Sequence, residues 1–96
     1  MLDLSEPYQF DWDQGNIKKN LIKHGIECKD GEEIFLDEKL VFGEDVKHSI
    51  SEKRYLAIGK TAKYKLLAVI FTVRNQKVRI ISARKANNKE RNLYEK

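Results

Sequence analysis

Hydrophobic and polar positions follow a helical pattern in the first part of the chain and an extended pattern in the rest. An initial strand is predicted over residues 8–12. A helix follows over 13–24, with Asp13 as its N-cap and Gly25 as its C-terminal cap. A second, shorter helix is predicted over 28–36, with Ile34 and Phe35 buried.

The second part of the chain contains short runs rich in Val, Ile, Phe and Tyr, which are typical of strands. Four strands are predicted, at residues 40–42, 54–59, 66–73 and 78–83. The last two are joined by Asn75-Gln76 alone, a length that suits a tight hairpin. We therefore expect these strands to be antiparallel.

A capping box marks the start of the last helix. Asn87 is followed three residues later by Glu90, so each can bond the backbone of the other, and the helix runs to about Glu95. The element order is thus β-α-α-β-β-β-β-α. It predicts a single α+β domain over 1–96, with an antiparallel sheet and helices packed on one of its faces.

Charge divides the chain into two unlike halves. Residues 1–46 contain 12 acidic and 5 basic side chains, a net charge of −7, whereas residues 47–96 contain 3 acidic and 14 basic ones, a net charge of +11. A half this basic attracts polyanions at long range, so nucleic acid is the leading partner class. The alternative is that the lysines only keep a small protein soluble.

Several classes of protein are excluded by composition. The longest apolar run, residues 66–71, is far shorter than the roughly 20 residues that cross a bilayer. The first residues lack the basic and apolar stretches of a signal or transit peptide. Cys28 is the single cysteine and cannot form an intrachain disulfide. We expect a cytoplasmic protein.

The strand that contains Arg79 continues to Arg84 and Lys85. Arginine binds phosphate oxygens through two nitrogens at once and stays charged at any working pH, so two arginines could hold a phosphodiester. In an ideal strand, however, residues 79 and 84 point to opposite faces, and both reach one phosphate only if the strand bends between them. Solvated arginines at the strand ends are the alternative interpretation.

Two histidines are further candidates for chemistry. Lys23-His24 precedes Gly25, where the cations either complement the helix dipole or, with His24 as a proton shuttle, act in catalysis. His48 lies four residues before Glu52, and no further ligand at a suitable spacing joins them. No metal and no cofactor is expected.

Taken in order, these segments resemble the BrnT toxins, and the resemblance covers most of the chain. The matching residues are Phe10-Asp11-Trp12-Asp13, Asn20, Lys23-His24-Gly25, Phe35-Leu36-Asp37, His48, Glu52, Arg54, Gly59, Arg79-Ile80-Ile81-Ser82-Ala83-Arg84, Ala86, Glu90, Arg91 and Tyr94.

The resemblance implies a RelE-like α+β fold and a ribonuclease toxin of a bacterial type II toxin–antitoxin pair that inhibits translation. It implies a BrnA-like antitoxin with a DNA-binding domain, through which the complex binds and represses its own operator. By position it implies catalytic roles for Lys23, His24, Glu52, Arg54, Arg79, Arg84 and Tyr94. It implies RNA phosphate contacts for Arg79, Arg84, Lys85 and Arg91.

Metal-independent RNA cleavage needs a base for the 2′-hydroxyl, positive charge for the phosphorane and an acid for the 5′-oxygen. His24 or Glu52 is the expected base, and Tyr94 or Lys23 the expected acid. The alternative function is a RelE- or ParE-like toxin or binding module that engages nucleic acid or a protein without cutting RNA. The sequence leaves open the RNA sequence cut, ribosome dependence, the oligomeric state without the antitoxin, and whether this copy is active.

Overall fold

The computed structural model describes residues 9–11, 26, 28–45 and 52–96. Its elements are β1 (Phe10–Asp11), α1 (Cys28–Glu33) continued by a 3-10 turn (Ile34–Leu36), β2 (Val41–Glu44), β3 (Tyr55–Lys60), β4 (Leu66–Arg74), β5 (Lys77–Lys85) and α2 (Asn88–Glu95). The predicted helix over 13–24 lies outside the described residues. The other predicted elements are present, and α1 tightens to a 3-10 helix in its last turn.

The five strands form one sheet in the order β1-β5-β4-β3-β2. Strands β2 to β5 pair antiparallel, as predicted, and Asn75 and Gln76 form the two-residue hairpin with φ of 51° and 63°. Both positive values are those of a type I′ turn, which matches the twist of the strands it joins. The α+β class is confirmed.

The prediction of a wholly antiparallel sheet is wrong for β1, which pairs parallel to β5 with Phe10 opposite Val78 and Asp11 opposite Arg79. A parallel pair needs a long crossover between its strands. More than sixty residues of chain separate β1 from β5, which is enough chain for this crossover. The sheet is therefore mixed.

One face of the sheet, here called the core face, is covered by α1 and its 3-10 turn. Ile34 and Phe35 are buried there, and the ring of Phe35 makes edge contacts with Phe10 and Phe71 at centroid distances of 5.5 and 5.2 Å. Gly59 allows the close approach, since a Cβ on it would lie 3.1 Å from the backbone oxygen of Ile34. Aromatic packing and this contact fix the turn against β3.

The opposite face of the sheet, here called the outer face, carries α2. Tyr94 is buried against Ile58 and Leu66, whereas Ala57, the neighbour of Ile58, belongs to the core on the other side. Successive strand residues point to opposite faces, so α1 and α2 pack on opposite faces of the sheet. The prediction that the helices share one face is wrong for these two. Helix α2 packs at one end of the outer face.

Candidate active site

A β-bulge places the two predicted phosphate-binding arginines on the same face of the sheet. The pairing of β5 with β4 skips Ile81, which lies between the paired residues Ile80 and Ser82. An extra residue of this kind shifts the strand's alternation by one position. Arg79 and Arg84 therefore both lie on the outer face of the sheet.

The strand register places Arg54, Thr72 and Arg79 side by side in a row across the outer face. Thr72 is opposite Arg79, and Arg54 immediately precedes the β3 residue that pairs with Phe71. The Thr72 hydroxyl donates to the Lys53 carbonyl at 2.8 Å, which holds this segment in place. Neighbouring strands are spaced by about 4.8 Å, so the arginine Cα atoms are about 10 Å apart. Both side chains can reach an anion between them.

Glu52 brings a carboxylate to this end of the sheet. It accepts hydrogen bonds from Arg74 Nε at 3.2 Å and Nη2 at 2.9 Å. The Arg74 hydrogen bonds, together with the positive charges of Arg54 and Arg79, hold the pKa of Glu52 below the ordinary glutamate value of 4.5. Glu52 is thus an ionised carboxylate at neutral pH within the field of both arginines.

Arg74, which was not among the residues predicted from sequence, belongs to this cluster. The residue ends β4 just before the hairpin, and its ion pair with Glu52 spans 22 positions of the sequence. The available signal was strand alternation, because Arg74 follows Thr72 by two positions and must share its face. The cluster on the outer face therefore comprises Glu52, Arg54, Arg74 and Arg79.

Arg79 is mostly covered, with 22% of its side chain exposed. Its Nη1 atom lies 3.9 Å from Asp11 Oδ2, across the parallel pairing of β1 with β5. The carboxylate and the strand pairing limit where the guanidinium can go. A positioned guanidinium loses less entropy when it binds a phosphate than a free one does.

Arg84 is bound to the last helix. Its two terminal nitrogens each donate to a Glu90 carboxylate oxygen at 2.7 Å, and only 6% of Glu90 is exposed. Glu90 and Asn87 form the predicted capping box, with bonds of 2.9 and 2.8 Å. The Arg84 hydrogen bonds hold the pKa of Glu90 below its ordinary value. This pair anchors α2 on the outer face, about 13 Å along β5 from Arg79.

Tyr94 lies at the other end of the outer face. Its hydroxyl donates to Asp37 Oδ2 at 2.6 Å, and the Lys60 backbone N–H donates to the same oxygen at 2.8 Å. Lys60 ends β3, six residues and about 20 Å beyond Arg54 in an extended strand. Burial and the Asp37 carboxylate raise the pKa of Tyr94 to about 12. The structure does not bring Tyr94 to Glu52.

Removing the Tyr94 hydroxyl is expected to affect stability and not RNA cleavage. Tyr94→Phe loses a hydrogen bond to a carboxylate, which lowers the free energy of unfolding at pH 7 by about 1–2 kcal/mol. Because folding raises this pKa from 10.0 to about 12, the stabilisation is present below pH 10 and is lost as the pH rises through 12. Urea unfolding of both proteins across this interval measures the difference. Tenfold slower cleavage by a folded Tyr94→Phe protein would instead assign the hydroxyl to the active site.

The remaining predicted residues are dispersed or undescribed. Lys85 and Arg91 are exposed, whereas Lys23, His24 and His48 lie outside the described residues. Within the described part of the chain, no group of three His, Cys, Asp or Glu side chains is placed to hold a metal ion. No helix among the same residues has the length and apolar character needed to cross a membrane.

An open cleft of about 500 Å³ adjoins the arginine row on the outer face. Its walls are polar and its floor is apolar, and it is lined by Glu44, Asp45, Arg54, Leu56, Ile70, Ile81, Ser82 and Arg84. The rim combines the guanidinium groups of Arg54 and Arg84 with the carboxylates of Glu44 and Asp45, and Arg84 is already bound to Glu90. The apolar floor favours a flat, weakly polar ring.

Comparison with known proteins decides the family. A family model described as the ribonuclease toxin BrnT of type II toxin–antitoxin systems matches residues 12–90. The chain belongs to the BrnT family. The crystal structure of the ribonuclease toxin BrnT from Brucella abortus has a similar fold, with a TM-score of 0.63 and 24% sequence identity. The alignment covers 84% of this chain and 99% of that one. No curated protein sequence matches the chain.

Membership in the BrnT family makes the chain a ribonuclease toxin of a type II toxin–antitoxin system, which implies an antitoxin partner. The matched segment contains the whole Glu52, Arg54, Arg74 and Arg79 cluster. Tyr94 lies beyond it, as does Arg91. The predicted family is thus confirmed, and the roles of individual residues stay predictions.

Proposed function

We propose that this BrnT-family toxin cuts RNA without a metal ion, at the cluster of Glu52, Arg54 and Arg79 on the outer face. The observation that carries the proposal is the convergence of one ionised carboxylate with two arginines at one end of the sheet. A binding module needs only the basic surface. A nuclease also needs a proton acceptor within that surface.

The reaction requires no group other than the chain and its substrate. Arg54 and Arg79 hold the phosphate, and the Glu52 carboxylate takes the proton of the 2′-hydroxyl. The 2′-oxygen then attacks phosphorus, the bond from phosphorus to the 5′-oxygen breaks, and a 2′,3′-cyclic phosphate forms. The two arginines stabilise the extra negative charge of the phosphorane.

The leaving 5′-oxygen must receive a proton. Of the two acids predicted from sequence, Tyr94 is bonded to Asp37 at the far end of the sheet. We therefore propose Lys23 for this step. We propose Glu52 as the base because its carboxylate is ionised within the field of Arg54 and Arg79. Arg84, Lys85 and Arg91 extend the basic surface along which RNA lies.

The proposed biological role is that of a toxin held in check by its antitoxin. RNA cleavage in the bacterial cytoplasm stops translation, and a BrnA-like antitoxin blocks it and carries the complex to operator DNA. Expression of the toxin alone is expected to arrest growth and degrade RNA, and co-expression of the antitoxin to restore growth. Arrest with intact RNA would support the alternative function, a toxin that engages its target without cutting RNA.

Glu52→Gln tests the chemical step. The substitution keeps the shape of the side chain and removes its basic form, so purified protein is expected to cleave single-stranded RNA about 100-fold more slowly or worse. Glu95→Gln, on the exposed end of α2, makes the same change of charge far from the cluster and should cleave normally. Equal rates for Glu52→Gln and wild type would remove Glu52 from the mechanism.

Arg74 is expected to set the pH dependence of cleavage. Its hydrogen bonds are the largest influence that lowers the pKa of Glu52, so Arg74→Ala raises that pKa toward 4.5. Because the base must be deprotonated, activity falls as the pH drops through this value. The acid limb of the pH–rate profile should therefore move to higher pH in Arg74→Ala, with less change at neutral pH.

The matched control for Arg74 is Lys63→Ala, which removes one exposed cation at the turn between β3 and β4. Its pH–rate profile should coincide with that of the wild type. Circular dichroism at each pH shows where each protein is folded, and cleavage rates are compared only at those pH values. An acid limb that does not move in Arg74→Ala would show that Glu52 is not the titrating base.

A further inference from the structure

The strand register places an apolar row beside the arginine row on the outer face. Its members are neighbours across four strands, in the order Gly43, Leu56, Ile70 and Ser82. Leu56 and Ile70 are only partly buried, although they lie on the two strands between β2 and β5. Leu56 and Ile70, with Ile81 at the bulge, form the floor of the open cleft.

Gly43 is not required by the fold of β2. A Cβ built on it meets no atom within 4 Å, and its backbone does not adopt the left-handed conformation that favours glycine. Strand interiors favour β-branched and aromatic residues, and glycine weakens them. Gly43 places no side chain beside Leu56, its cross-strand partner, which packs on another side against the cluster of Ile58, Leu66 and Tyr94.

We propose that this floor binds one unpaired nucleobase of the RNA, stacked flat on Leu56 and Ile70 in the space that Gly43 leaves open. The inference rests on the proposed function, in which the adjacent row holds a phosphate between Arg54 and Arg79. Rows on one face of a sheet are about 7 Å apart, a separation that a nucleotide spans from its phosphate to its base. Stacking on such a floor tolerates any base.

The charge of the outer face as a whole favours a nucleotide over an apolar peptide side chain. The cleft itself is lined by two arginines, Arg54 and Arg84, and by two carboxylates, Glu44 and Asp45. Residues 47–96, which supply most of the outer face, carry a net charge of +11, and this charge draws phosphates toward that face. The Ser82 side chain, at the β5 end of the row, offers a hydroxyl to the edge of the base.

Gly43→Val tests the subsite because it fills the space without disturbing the fold. Valine suits an exposed strand position, so the melting temperature should equal or exceed that of the wild type. The probe is a short oligomer of 2′-fluoroadenosine, which lacks the attacking hydroxyl, and its comparator is the same phosphate chain with abasic residues. Wild type should bind the base-containing oligomer about 10-fold more tightly. Gly43→Val should bind the two oligomers nearly equally.

Gly43→Ala adds a single methyl group, so its preference for the base-containing oligomer should lie between those of the wild type and Gly43→Val. This variant also serves as the test if Gly43→Val fails to fold. The proposal is overturned if the wild type binds the base-containing and abasic oligomers equally, or if a folded Gly43 variant keeps the full preference of the wild type. It is also overturned if a Gly43 variant loses antitoxin binding while its binding of both oligomers is unchanged. Ordinary RNA is assayed in parallel. A wild type that prefers bases yet leaves ordinary RNA intact would contradict the proposed function and not the subsite.

Discussion

Arg79→Ala is expected to slow RNA cleavage by about 10²–10³-fold, the usual effect of removing one group that stabilises a developing anion. Arg79 lies in one row with Thr72 and Arg54, and its charge acts on the Glu52 carboxylate. The substitution also ends the contact with Asp11, a long ion pair of 3.9 Å whose carboxylate side chain is 45% exposed and which therefore contributes little free energy. The melting temperature should therefore change little while the cleavage rate collapses.

Four further variants sharpen this result. Arg79→Lys keeps the charge and loses the bidentate geometry, so its rate should fall between those of Arg79→Ala and the wild type. Arg54→Ala should cleave RNA about as slowly as Arg79→Ala. In the double variant of Arg54→Ala and Arg79→Ala, the fold reduction in rate should be smaller than the product of the two single reductions, because both groups act on one phosphate. Lys63→Ala should cleave normally. Wild-type cleavage by a folded Arg79→Ala protein would remove the arginine row from the active site.

Arg84→Ala is expected to lower the free energy of unfolding by about 2–4 kcal/mol. Glu90 is 6% exposed in the wild type, and the substitution leaves its carboxylate, among the described hydrogen bonds, with the one from the Asn87 backbone N–H. Partial exposure of the Arg84 side chain, at 38%, keeps the loss below that of a fully buried pair. Urea unfolding followed by circular dichroism measures it.

A double variant tests whether Arg84 stabilises the fold through Glu90 or acts as a phosphate ligand. In Arg84→Ala with Glu90→Ala no buried carboxylate is left unpaired, so the double variant should be less destabilised than the sum of the single variants. Arg91→Ala, one turn along the exposed side of α2, should unfold within about 0.5 kcal/mol of the wild type. An Arg84→Ala protein as stable as the wild type that no longer cleaves RNA would instead make Arg84 a phosphate ligand.

Local patterns in the sequence specify much of this fold. The capping box of Asn87 and Glu90 and the two-residue hairpin at Asn75 are each set by residues a few positions apart, and both form as predicted. The predicted burial of Ile34 and Phe35 at the end of the second helix is likewise confirmed. Elements whose interactions lie within one turn or one hairpin can therefore be predicted from sequence.

The arrangement of the site depends on contacts between distant parts of the chain. The bulge at Ile81 exists only in the pairing with β4, so the sequence of β5 alone cannot show that Arg79 and Arg84 share a face. The Glu52 and Arg74 pair spans 22 positions, and the bond from Tyr94 to Asp37 spans 57. Strand register decides such pairs, and a change of one residue in register reverses the face.

The direct test of metal-independent cleavage is analysis of the RNA ends made by the purified wild-type toxin in excess EDTA. Single-stranded RNA should be cut to fragments with 2′,3′-cyclic phosphate and 5′-hydroxyl ends, identified by mass spectrometry. The same RNA with a 2′-deoxynucleotide on the 5′ side of the cut should remain whole, because it lacks the attacking group. Intact RNA in EDTA with cleavage restored by a divalent metal, or fragments with 3′-hydroxyl and 5′-phosphate ends, would contradict a mechanism carried by Glu52, Arg54 and Arg79.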